Sequence, residues 1–179
     1  QLLKSLRTLP FAYPVSNVVT GAPEYRLATF VIQSMVTALV FAAVAAFFLL
    51  ARRRRGDTTL VFLLLYCLTQ AVLDSTRYDS LYLRSNGFIS AVQLLSAAAI
   101  VAVSVVFSVR MVKEQGMKLW YSPAWVVMLV LLGGAGYMEY YVQRHGDKGL
   151  FSYTIMTLCL SFFVCLSLFF YSRTAGAEE

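Results

Sequence analysis

Residues 28–57 read ATFVIQSMVTALVFAAVAAFFLLARRRRGD, and this stretch decides the solvent in which the chain folds. From Ala28 to Ala51 nearly every position is apolar. A run of roughly 20 such residues is what a helix needs to cross the hydrocarbon core of a bilayer. A soluble fold would divide the same residues into short periodic stripes. The run stops at Arg52, Arg53, Arg54 and Arg55, a cluster too costly to place in hydrocarbon. Gly56 and Asp57 then complete a tight turn.

Working outward, the pattern recurs four more times. A second span is expected over 58–77, then a polar loop over 78–87 and a third span over 88–109. Arg110, Lys113 and Lys118 follow it. A fourth span over 123–142 opens at Pro123, a residue tolerated in the first helical turn. A fifth covers 150–171, before a polar tail from Arg173 to Glu179. Of the 179 residues, 59% are hydrophobic and 13% charged, where a soluble domain carries roughly 25% charge. The fold class is therefore all-α, an integral membrane helical bundle of about five transmembrane helices. Residues 1–26, with Pro10, Pro14, Pro23 and Gly21, suit an outer-side surface or loop segment better than a span. The chain opens on Gln1, so further residues are expected to precede it. Three regions result: 1–26, a three-helix part over 27–112, and two additional helices with the tail over 113–179.

Charge and cysteine usage narrow the function classes. The net charge of +6 sits at the ends of apolar runs, where it marks orientation or contacts anionic lipid, and no basic stripe with interleaved aromatics points to nucleic acid. Cys67, Cys159 and Cys165 lie inside apolar runs without a CxxC pairing, so they read as packing residues. His145 stands alone in a polar loop, and no Ser-His-Asp or phosphate-loop pattern accompanies it. Neither a metal nor a cofactor is expected. Placing the four-Arg turn in the cytoplasm also places Arg110, Lys113, Lys118 and Arg173 there, eight of the 15 basic residues. The far end of the second span then opens to the outer side.

That far end is polar. Gln70, Asp74 and Arg77 are spaced by four and three positions, which puts them on one side of a helix with Tyr66 one turn deeper. A carboxylate at that depth needs a partner, and Arg77 is the nearest candidate in sequence. Gln33, Ser34 and Thr37 on the first span, and Gln93 and Ser96 on the third, fall at similar depth and are candidates for the same cavity or for hydrogen bonds between helices. Gly133, Gly134 and Gly136 in the fourth span read as close-packing positions, with Glu139 near its outer end.

Three stretches resemble the prolipoprotein diacylglyceryl transferase family. Residues 65–79, LYCLTQAVLDSTRYD, are similar to a late transmembrane motif in which an Arg is followed by an acid four positions on and a second Arg three after that. Residues 24–34, EYRLATFVIQS, resemble the opening of the preceding helix, and residues 87–96, GFISAVQLLS, resemble the final one. The likeness covers about 10–112. It implies transfer of diacylglycerol from phosphatidylglycerol to the lipobox cysteine of a preprolipoprotein, at the outer face of a bacterial inner membrane. It also implies Asp74 and Arg77 as catalytic residues, with Tyr66, Gln70, Asp79, Gln33, Gln93 and Arg26 as substrate-binding ones. A glycerol phosphate leaving group calls for cationic stabilisation in a low-dielectric site, which Arg supplies with bidentate contacts.

Two positions depart from that pattern. Gln70 stands where the family has an Arg, and Gln33 where it usually has a Glu. Each trades a charge for a neutral amide, which favours an alternative: a non-catalytic membrane protein that binds a lipid headgroup or a partner helix. A third reading is a small transporter subunit that uses Asp74 as its proton or cation site.

Overall fold

The computed structural model describes residues 12–16, 23–50, 54–75, 90–145 and 149–174. Five helices among them are long and apolar enough to cross a membrane. They are α1 (Thr29–Leu50), α2 (Asp57–Ser75), α3 (Ala91–Gln115), α4 (Ser122–His145) and α5 (Gly149–Thr174). The protein is thus a multi-pass helical membrane protein, as its apolar runs require. Water-free surroundings leave a spanning backbone no partner but itself, and helices meet that demand within one segment.

The chain divides into two compact units, 1–39 and 40–179. In the first, residues expected to lie as a loop pair instead as antiparallel strands, β1 (Ala12–Ser16) and β2 (Pro23–Leu27), with Pro14 opposite Tyr25. Pro14 and Pro23 are compatible with this ladder because a two-stranded ribbon consists only of edges. The Tyr13 ring meets Phe30 edge-on at 6.2 Å.

In the second unit, α2 packs on α3, α3 on α5 and α5 on α4, with α2 also touching α5. Leu64, Ile100, Phe107, Met111 and Phe170 are wholly buried between them. Phe107 lies 5.2 Å from the Tyr171 ring, which also meets Phe47 of α1. Large apolar residues such as Leu49, Leu50, Leu129 and Val130 point outward, where acyl chains are their solvent. Small polar residues go inward: Ser104 and Ser167 are buried with hydroxyl oxygens 2.7 Å apart, joining α3 to α5. Without a hydrophobic drive between helices, such bonds and close packing hold a membrane bundle together.

The tight turn before α2 is built as its residues suggest. Gly56 takes φ +92°, a left-handed conformation open to glycine at little cost. Asp57 accepts from the Arg54 backbone N–H at 3.1 Å and from Arg110 Nη1 at 2.6 Å. Arg54 also pairs with Glu114. This ion network explains why α3 outlasts its apolar run by six residues: Arg110 and Glu114 find partners only if the helix continues.

Of the α4 glycines, Gly134 alone packs closely against another helix, as expected of all three. A Cβ on Gly134 would sit 3.6 Å from Cys159 Sγ, and one on Gly133 or Gly136 would meet nothing within 4 Å. They therefore do not mark a backbone-to-backbone crossing. Cys67 is buried and Cys159 half-buried, whereas Cys165 faces outward.

Candidate functional site

Asp74 ends the apolar part of α2 and is buried, with Gln70 buried one turn earlier on the same face. The four-residue spacing places them there, as the sequence indicates. Asp74 lies seventeen positions after Asp57, about 26 Å of helix, so the Asp74 end lies across the bundle from the arginine-rich turn.

The group that meets Asp74 comes from the start of α3. Ser90 is the N-cap of that helix, with extended backbone angles, and its hydroxyl accepts from the Gln93 backbone N–H at 3.0 Å. The Gln93 side-chain oxygen accepts in return from the Ser90 backbone N–H at 2.9 Å. The pair forms a capping box, which satisfies two donors that a helix start otherwise leaves orphaned. Since the Ser90 hydroxyl accepts from α3, its own proton is directed outward, and it donates to Asp74 Oδ2. Both Ser90 and Gln93 are buried.

The other end of the Gln93 amide points to α4. Its Nε2 donates to Glu139 Oε1 at 3.1 Å, and Glu139 is itself buried. Beneath this layer Ala71, Ala135, Met156 and Leu160 form a small apolar core, which seats α2, α4 and α5 against one another. Three helices therefore contribute to one polar cluster: Asp74 from α2, Ser90 and Gln93 from α3, and Glu139 from α4. Bonds of this kind in a low-dielectric setting rigidify their members when fully satisfied.

The other residues singled out in the sequence fall as follows. Tyr66 is half-buried, and its ring stacks on Phe62 of the same helix at 5.5 Å. Gln33 is half-buried on α1 within the first unit, and Ser34 there turns back to the Phe30 carbonyl at 2.9 Å. Ser96 is buried on α3. Arg77 and Asp79 lie outside the described residues; Arg26 belongs to β2. An open apolar cleft of about 320 Å³, lined by Ser108, Val109, Val112, Lys113 and Trp125, sits at the opposite end of α3 from Ser90.

The sequence gives Ser90 no role and sets Glu139 near the outer end of its span without naming a partner for it. Ser90 carried a usable signal, since Ser-Ala-Val-Gln over 90–93 has the S-x-x-Q form of a capping box. Glu139 carried none beyond its charge in a span, because its partner lies 46 positions away. Replacing Ser90 with Ala removes the cap and the donor to Asp74 together. The expected loss is about 1–2 kcal/mol in stability, measured by reversible unfolding in mild detergent; an unchanged midpoint would contradict the capping geometry.

Comparison with known proteins adds one finding. A family model described as prolipoprotein diacylglyceryl transferase matches residues 5–109. That span includes Asp74, Ser90 and Gln93 and ends before α4 and α5. No match was found among curated proteins or among solved structures.

Proposed function

We propose that this chain, which belongs to the prolipoprotein diacylglyceryl transferase family, moves the diacylglyceryl group of phosphatidylglycerol onto the thiol of a lipobox cysteine. In that step the cysteine sulfur attacks the diacylglyceryl carbon that carries the phosphate ester. A carbon–sulfur bond forms, the carbon–oxygen bond breaks, glycerol phosphate departs, and the thiol proton leaves with it or through a base. The observation that carries this reading is the buried carboxylate of Asp74, the family acid by position, held by Ser90 at one end of the bundle.

A carboxylate repels phosphate, so the role assigned to Asp74 is to hold the groups that bind the headgroup. Arg77, three positions on, is assigned the direct contact, because guanidinium matches phosphate oxygens bidentately and stabilises charge on the leaving group. Tyr66, Gln70, Gln93, Gln33, Arg26 and Asp79 are assigned to substrate binding on the strength of the family pattern. The basic residues at the opposite end support a bacterial inner-membrane orientation with Asp74 toward the outer side.

Gln70 favours a second reading. It is a buried neutral amide on the Asp74 face where the family has an Arg, which suits a protein that binds the headgroup without turning it over. One experiment separates the two. The protein, in vesicles of phosphatidylglycerol or of phosphatidylethanolamine, is incubated with a lipobox peptide, and thioether formation is followed by mass spectrometry. Product from phosphatidylglycerol alone is the expected result. Binding of phosphatidylglycerol without product would establish the second reading, and neither binding nor product would remove both.

A further inference from the structure

Glu139 lies in α4, beyond the residues that the family model matches, yet it is joined to Asp74 by an unbroken series of hydrogen bonds. We propose that Glu139 is a positioning residue for the Asp74 site, so that α4 completes that site from outside the family-matched region. This rests on the transferase reading for its catalytic consequence, though not for its structural one.

The geometry gives each link a direction. The Ser90 backbone N–H is a donor, so the Gln93 atom that faces it must be the oxygen. The amide NH2 is thereby turned to α4, where Glu139 Oε1 accepts. Reversing the amide would set NH2 against N–H at Ser90 and oxygen against carboxylate at Glu139, two repulsions in place of two bonds. Glu139 thus selects one sense of the Gln93 amide. That sense keeps Ser90 in the capping box, and the box leaves the hydroxyl proton of Ser90 for Asp74 Oδ2. An acceptor on α4 consequently sets the direction of the bond that Asp74 receives on α2.

Packing supports the same view. Glu139 follows Ala135 by one helical turn, and Ala135 belongs to the small apolar core that also holds Ala71 of α2 and Met156 and Leu160 of α5. The face of α4 that carries Glu139 is therefore the face turned to the bundle interior, and the burial of Glu139 follows from helix packing. A glutamate buried in a membrane bundle is costly unless it is bonded, and here it accepts from Gln93 Nε2.

The test uses Glu139→Leu, which removes the acceptor, and Glu139→Gln, which keeps one. Backbone hydrogen exchange at Ser90 is followed in the detergent-solubilised protein, and kcat and KM in the vesicle assay. Glu139→Leu is expected to deprotect the Ser90 N–H while Ile100, deeper in α3, stays protected. It is also expected to lower kcat by about 10- to 100-fold with KM within about twofold, the pattern of a misplaced group. Glu139→Gln is expected to stay within about threefold of the parent, and Glu139→Leu made on top of Gln93→Leu to add nothing further, since both act through one link. Unchanged protection at Ser90 in Glu139→Leu overturns the proposal whatever the activity. So does an equal loss in both Glu139 variants, or strict additivity with Gln93→Leu. If the parent itself forms no thioether, the transferase reading fails alone, and protection at Ser90 still decides whether Glu139 holds the cluster.

Discussion

Replacing Asp74 with alanine is expected to abolish thioether formation, by on the order of 10²- to 10³-fold or more, while the protein still inserts and folds. The carboxylate is buried and receives the Ser90 hydroxyl proton, so its removal leaves that donor without its acceptor and the site without its central charge. Asp74→Asn keeps the shape and an oxygen for Ser90 but not the charge. It is expected to restore stability without restoring transfer, which separates electrostatics from packing. Complementation of a transferase-depleted bacterium by the full-length protein reads the same outcome in cells. Wild-type complementation by Asp74→Ala would remove Asp74 from the chemistry.

The second large effect is expected at the opposite end of the bundle, and on stability. Asp57 has a side chain only 3% exposed and is paired with Arg110, whose side chain is 32% exposed. Arg110→Leu leaves Asp57 buried with the Arg54 backbone N–H but without its guanidinium partner. Breaking one side of such a pair typically costs about 3–5 kcal/mol, and the partial exposure of Arg110 places the expected loss at about 3 kcal/mol. Adding Asp57→Asn to Arg110→Leu removes the stranded charge and is expected to recover part of that loss. Unfolding in detergent, followed by tryptophan fluorescence, measures both; a double variant no more stable than Arg110→Leu alone would show that the unpaired charge is not the cause. Catalysis is about 26 Å of helix away and is expected to change little.

Much of the architecture could be read from the chain. The five spans are legible because a bilayer imposes a length and a composition on each segment separately, so that residues 28–51 announce α1 with no knowledge of the rest. The helix ends are less so. Apolar content suggested a third span over 88–109, whereas α3 runs from Ala91 to Gln115. Its start is set by a cap at Ser90, and its end by ion pairs with residues before and at the start of α2. Hydropathy measures where lipid begins, and a helix stops where its backbone loses partners. The short ladder of β1 and β2 was hidden by prolines, which argue against a sheet interior but not against a two-stranded edge.

For the candidate site, the sequence alone established that Gln70 and Asp74 share a helical face, because that relation is set by local periodicity. The bond between Ser90 and Gln93 is equally local, three residues apart, but it came to light only in the structure. What only the tertiary structure decided is which distant groups meet them. Ser90 reaches Asp74 across 16 positions and Glu139 reaches Gln93 across 46, and neither pairing leaves a trace in spacing. Such contacts depend on which helices become neighbours and at what rotation, and that is settled by packing of the whole bundle and by no single segment.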